Sequence, residues 1–374
     1  MWIVPYAKCI YAIGCVLSLT LVRPLTLRYG RRPVSLASCS IWMISNLATA
    51  FAYVPTVYLV LRFIATLGIM NIYLISLMSL VECLGQEYKL LYMLCGHLSW
   101  GVGHFFLPLF LWMTGGWFGF HVVLCIGSSL MLAVLCFVPE SATYYVKRGL
   151  WSRANRTLRT AAISNGYSPT RLESFTQNWM LLQEKGPVEM KTFQIRNYLQ
   201  VLKLVILFFS SFMTTFLYLI YTYRADWIKG RMGSNFALMG TSEVASVIIL
   251  LFATTMVSLK YLWALSSAMA SILMFITYSK LHSGERTTIP TLIYLATVFF
   301  ASSSWFLLLL KSVSSSSTAS KWSKVVLCTA VCIGTFAASS MEFKEEIQAW
   351  NYKPILIWAV PHFLIGASTI LLEI

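Results

Sequence analysis

The stretch LRYGRRP, Leu27 to Pro33, stands between two runs that carry almost no charge: WIVPYAKCIYAIGCVLSLTLV (2–22) before it and VSLASCSIWMISNLATAFAYV (34–54) after it. Each run has the roughly 20 apolar residues that a helix needs to cross a bilayer. Arginines gathered between two such runs mark a loop on the cytoplasmic face, because positive charge is retained on that side. Gly30 supplies the conformational freedom of a tight turn.

The rest of the chain repeats the pattern. Hydrophobic residues make up 58% of the 374 residues and charged residues 11%, against about 25% charged in soluble domains. About eleven runs of membrane length occur, at 1–22, 34–54, 56–81, 90–112, 119–138, 201–223, 235–257, 261–279, 289–310, 325–341 and 354–374. The first has neither a basic leader nor a small-residue cleavage site, so it reads as a span and not as a signal peptide. With the LRYGRRP loop inside, the same face collects Lys89, the basic residues from Lys147 to Lys203, Lys260, Lys311, Lys321 and Lys324. The opposite face holds few, chiefly Arg224, Lys229, Arg231, Lys280, Arg286, Lys344 and Lys353. This asymmetry places the N-terminus outside and the C-terminus in the cytoplasm.

The net charge of +15 is therefore a topology signal, not a nucleic-acid-binding face. The cysteines lie within apolar runs without a paired CxxC and read as small membrane hydrophobes. No nucleotide-binding GxxxxGK[ST], no HExxH and no GxSxG is present, so no cofactor, metal site or enzymatic centre is expected. One long polar segment, 139–200, separates five spans from six; its RANRTLRTAAISNG pattern (153–166) predicts short amphipathic helices, broken at Gly166 and Pro169. Three parts follow: an N-terminal helical bundle (1–138), a central cytoplasmic loop (139–200) and a C-terminal bundle (201–374).

Five spans, a basic loop and six spans resemble the six-plus-six plan of the major facilitator superfamily. LRYGRRP is similar to that superfamily's loop between helices two and three. PESATYYVKRG (139–149) resembles the signature opening the central loop of the organic cation, anion and zwitterion transporters (solute carrier 22-like), and GTSEVAS (240–246) is similar to their eighth-helix motif. Arg62 within LVLRFIATLG and Glu82 after that span also match positions of the family. The resemblance implies an all-α, polytopic, two-bundle fold and a carrier of small organic ions working by alternating access in the bilayer. It further implies that helix one and the extracellular domain after it are missing from the front of this chain.

Departures from the pattern are specific. Arg23 and Leu27 replace a glycine and an acidic residue of the first loop, Ala142 and Thr143 follow PES, and SLK (258–260) stands for a second-half basic loop. These losses sustain an alternative, a non-transporting relative that serves as a membrane scaffold or inactive relic.

Two groups of candidate residues emerge. Arg28, Gly30, Arg31, Arg32, Glu82, Glu140 and Ser141 form a candidate cytoplasmic gate, with Glu140 expected to pair with the arginines; topology anchoring and a solvated loop acid are the competing readings. Glu243, Tyr218, Arg62, His97, His104 and Cys332 are candidates for a transport cavity. Ionisable groups within a span are costly and functional by default, and Glu243 is the lone carboxylate of its run. Arg62, nearer a helix end, can snorkel. His97 and His104, seven apart, share a helix face among Gly96, Gly101 and Gly103, where packing against another helix is the alternative to lining a pathway. The Cys332 assignment comes from counting back from Gly334, and a neutral residue there declares for neither cations nor anions. Tyr218, Tyr221 and Tyr223 offer aromatic faces to a cation or form an interfacial belt. The plasma membrane is the expected location; substrate identity and oligomeric state are not legible.

Overall fold

The structure, a computed structural model, describes residues 3–83, 88–166, 198–223, 225, 230–282, 288–314, 330, 331, 333, 334, 337 and 338. Its described elements are all helical: α1 (Ile3–Tyr29), α2 (Arg31–Ala50), α3 (Pro55–Cys83), α4 (Lys89–Thr114), α5 (Trp117–Phe137), α6 (Ala142–Lys147), α7 (Trp151–Ser164), α8 (Tyr198–Tyr223), α9 (Met232–Met256), α10 (Leu259–His282) and α11 (Thr288–Ser314). Seven of these, α1, α3, α5 and α8 to α11, are long and apolar enough to cross a membrane. Of the expected spans, 354–374 lies outside the described residues, as do most of 325–341 and the central loop beyond residue 166.

Most of the helices run longer than the apolar runs alone predict, and the first loop shrinks to one residue. α1 continues through Arg28 and Tyr29, and α2 begins at Arg31. Gly30, at φ +100°, donates its N–H to the Thr26 carbonyl at 3.1 Å, closing the last turn of α1 before the chain reverses. A positive φ of this kind is open to glycine at little cost.

α2 is too polar to count among the seven apolar spans, and its polar face is the buried one. Ser35, Ser38, Ser45, Asn46 and Thr49 are all inside. Ser35, Ser45, Asn46 and Thr49 bond to carbonyls one turn back, at 2.6 to 3.0 Å, which satisfies them without a partner helix. Small residues then let helices touch. A Cβ on Gly68 of α3 would lie 2.8 Å from the Ser38 carbonyl oxygen of α2, and one on Gly14 of α1 would lie 2.9 Å from the Thr66 methyl of α3. In lipid, close van der Waals contact of this type replaces the hydrophobic effect as the glue.

α1, α2, α3 and α5 pack together, and α8, α9, α10 and α11 form a second group. α4 belongs to the first half by sequence but packs chiefly on α9 of the second. The α4–α9 crossing is tight: a Cβ on Gly240 would sit 2.5 Å from the Phe105 backbone nitrogen, and one on Gly101 would sit 3.1 Å from the Glu243 Cβ. The short α6 and α7 follow, with Arg153, Arg156 and Arg159 exposed on α7 and Ala154 buried beneath it.

Candidate functional site

Two clusters of charged side chains stand out, one at each kind of location expected. The first surrounds the α1–α2 turn. Glu140 accepts from the Arg31 and Arg32 backbone N–H groups at 2.9 and 3.0 Å and from the Ser141 N–H at 3.0 Å. It thus occupies the N-terminus of α2, where unpaired amides and the helix dipole favour an anion. Glycine is required for this approach, since a Cβ on Gly30 would lie 2.4 Å from a Glu140 carboxylate oxygen. The expected Glu140–arginine pairing is therefore realised through main-chain amides, not guanidinium groups.

The Arg31 guanidinium instead meets Glu82 at the end of α3, and Ser141 Oγ donates to the other Glu82 oxygen at 2.7 Å. Arg31 is 4% exposed. Arg32 reaches the Cys136 carbonyl at the C-terminal end of α5 at 2.6 Å, where a cation complements the exposed carbonyls. The Arg28 side chain lies over the Tyr29 ring, while its carbonyl receives the Arg148 guanidinium. A cavity of about 740 Å³ opens beside this cluster, with Arg32, Arg156, Ile75 and Leu135 in its wall. Among the described residues the partners in this network all precede residue 149, so there it ties together α1, α2, α3, α5 and the segment around α6. Arg148 is the member that sequence reasoning did not single out.

The second cluster lies at the α4–α9 crossing. Glu243, on α9, is completely buried. One carboxylate oxygen accepts the Tyr218 hydroxyl of α8 at 2.6 Å, and the other meets His104 Nδ1 of α4 at 2.7 Å. Three helices from both halves thus converge on one carboxylate. His97, one heptad before His104, contacts a different group: its Nε2 is 2.9 Å from Ser302 Oγ on α11, which is 3.1 Å from Ser246 Oγ. Ser246 returns to the Glu243 backbone carbonyl at 2.7 Å.

Aromatic rings enclose these polar atoms. Trp305 stacks on Tyr218 with centroids 5.4 Å apart, Phe306 stacks on His97 at 5.2 Å, and Trp100 meets the His104 ring edge-on at 5.4 Å. Ser246, Ser302 and Trp305 were not among the expected residues. Their signals were present: Ser246 is three residues from Glu243 on the same helix face, and ASSSW (301–305) interrupts an otherwise apolar run.

The remaining candidates fall elsewhere. Arg62 of α3 lies close enough for its charge to act on Tyr11 of α1 and His121 of α5, and it does not join the Glu243 cluster. Cys332 lies outside the described residues, although nearby Gly334 approaches the Phe212 carbonyl of α8 closely enough that a Cβ would sit 2.9 Å away. Of the three glycines expected to mediate a helix contact, Gly101 does so with α9. A Cβ on Gly103 would meet nothing within 4 Å. Among the described residues no cluster of three or more acidic, histidine or cysteine side chains could hold a metal ion.

Comparison with known proteins places this geometry in context. A family profile described as "Sugar (and other) transporter" matches residues 6–368. Solute carrier family 22 member 3 of Rattus norvegicus is 24% identical over 270 residues, covering 71% of this chain and 48% of that protein. Organic anion transporter 3 of Homo sapiens is 26% identical over 162 residues, covering 43% of this chain and 30% of that protein. The chain thus spans about half, or less, of the length of these curated relatives. Among solved structures, the proton:xylose symporter XylE of E. coli, of the major facilitator superfamily, superposes with a TM-score of 0.76 at 15% identity, over 98% of this chain and 85% of that one.

Proposed function

This chain belongs to the sugar (and other) transporter family, and on that premise we propose that it carries a small organic ion across the membrane by alternating access. The observation that carries the reading is the Glu243 carboxylate, buried and held by Tyr218 and His104 from two other helices. A charge left in a membrane interior without a task is costly. Here it faces polar and aromatic side chains of both halves, the kind of midplane site about which two bundles rock.

On this reading the Glu140–Arg31–Glu82 network holds the cytoplasmic end of the first half as one rigid body, against which the second half moves. Residues 1–138 and 201–374 are the moving bundles, joined by the central loop. Transport is facilitated or secondary, the protein resides in the plasma membrane, and the basic loops face the cytoplasm. Relatives named for organic cations and organic anions support an organic ion as substrate, and the negative charge of Glu243 favours a cation.

Uptake of a panel of labelled organic cations and anions into cells expressing the chain at the surface tests the proposal. Saturable uptake of at least one, lost in Glu243→Gln, is the expected result. Normal surface expression with no saturable uptake would replace this reading with that of a membrane scaffold.

A further inference from the structure

The Glu243 side chain is 1% exposed, and the His104 ring that meets it is 17% exposed. A carboxylate at this depth must keep a positive partner or give up its own charge. Among the described residues it makes no ion pair with lysine or arginine. Among the described residues, the titratable groups that face the pair are Tyr218 on α8, Tyr73 on α3, which lies close enough to act on Tyr218, and His97 on α4. Tyr218 donates a neutral hydroxyl, and His97 is turned to Ser302. Among the described residues, the imidazole of His104 is the group in contact with Glu243 that is able to carry a positive charge.

Its surroundings suit an organic cation equally well. Trp100 lies edge-on to the His104 ring, and Phe236 is 6.5 Å from it, so aromatic groups flank the position that an imidazolium occupies. Such rings also attract a quaternary or protonated amine. The two Glu243 oxygens are not equivalent: among the described residues one is kept by Tyr218, and the other meets the part-exposed imidazole.

We propose that Glu243 holds one positive charge at a time, the His104 imidazolium when empty and a substrate cation when loaded, so that the protein exchanges an organic cation for a proton. This rests on the transport reading above. On loading, the substrate displaces the imidazolium from its carboxylate oxygen, and the ring releases its proton on the side from which the substrate entered. The charge of the site is the same before and after. On unloading, the ring takes up a proton on that side and restores the pair.

The test uses the full chain in proteoliposomes and tetraethylammonium, a cation with no proton of its own, so that any pH effect belongs to the protein. The quantity read is the ratio of uptake with an acidic interior to uptake without a gradient, which is independent of the amount of active protein. For one-to-one exchange, one pH unit drives up to about tenfold accumulation. The wild type is expected to approach this ratio, to raise internal pH as the cation enters, and to ignore an imposed potassium diffusion potential. His104→Gln brings the ratio to about one and makes uptake follow the potential. His104→Lys, which leaves a fixed cation on Glu243, abolishes uptake at every pH while the protein remains monodisperse in detergent. Wild-type uptake that ignores the gradient, or a gradient response that survives in His104→Gln, overturns this inference and leaves the transport reading standing. No saturable uptake by the wild type, here and across the cation panel, overturns both.

Discussion

Glu140 and Glu243 are both partly or wholly shielded carboxylates with several hydrogen bonds, yet they are held in opposite ways. Glu140 is held by three backbone N–H groups, two of which belong to the first turn of α2 and cannot rotate away while that helix exists. Glu243 is held by two side chains, from α4 and α8, and either can swing out without unfolding a helix. Main-chain amides make a permanent clamp. Side chains from separate helices make a site whose partner can be exchanged.

Substitutions can break that contrast, and the largest effect is expected at Glu243. Glu243→Gln leaves His104 opposite a neutral amide, and on the exchange proposed above the loss of one member of a buried charge pair costs roughly 3–5 kcal/mol. Organic-cation uptake should fall by about two orders of magnitude or more, measured as initial rate per surface-expressed protein. A fall below tenfold would mean that Glu243 does not carry the substrate's charge.

Gly240→Ala comes next. Its Cβ would meet the Phe105 backbone at 2.5 Å, so α4 and α9 must part. Overpacking of this sort costs about 1–3 kcal/mol, read as a lower melting temperature in detergent together with reduced uptake. An unchanged melting temperature would show that the crossing is looser than described.

Glu140→Gln sharpens the comparison from the other side. It removes the anion from the N-terminus of α2 and leaves part of the capping intact, which should destabilise by about 0.5–2 kcal/mol. Substrate affinity should stay unchanged, since among the described residues no member of the Glu243 cluster touches it. A changed KM with an unchanged melting temperature would contradict the division between clamp and site. Arg28→Gln should do least, within about 0.5 kcal/mol, because the Arg28 backbone carbonyl and not its guanidinium receives Arg148; a thermal melt checks this.

How much of this could be read in advance differs between the two clusters. RYGRRP and PES bracket one locality, and Gly30, Arg31, Arg32, Glu82, Glu140 and Ser141 do meet there. Which groups Glu140 would choose was not legible, since a backbone amide looks the same at every residue and only helix geometry makes two of them unpaired at Arg31 and Arg32. At the α4–α9 crossing, the buried carboxylate and the shared face of His97 and His104 could be read. Their separate destinations could not: His104 meets Glu243, 139 positions away, and His97 meets Ser302, 205 positions away. Arg62 was no easier to place, because an arginine in a span looks alike in sequence whatever it faces.

Helices follow from composition alone, because in lipid each backbone polar group must pair within its own helix, and the placement of basic residues sets the orientation expected for them. Periodicity then assigns a face to each side chain, and no more. Which helices meet was decided by tertiary packing, at Gly101 and Gly240, where the absence of a Cβ lets α4 lie against α9. Lipid offers no hydrophobic preference among apolar helix faces, so that close fit, which no single segment contains, is what brings His104 to Glu243.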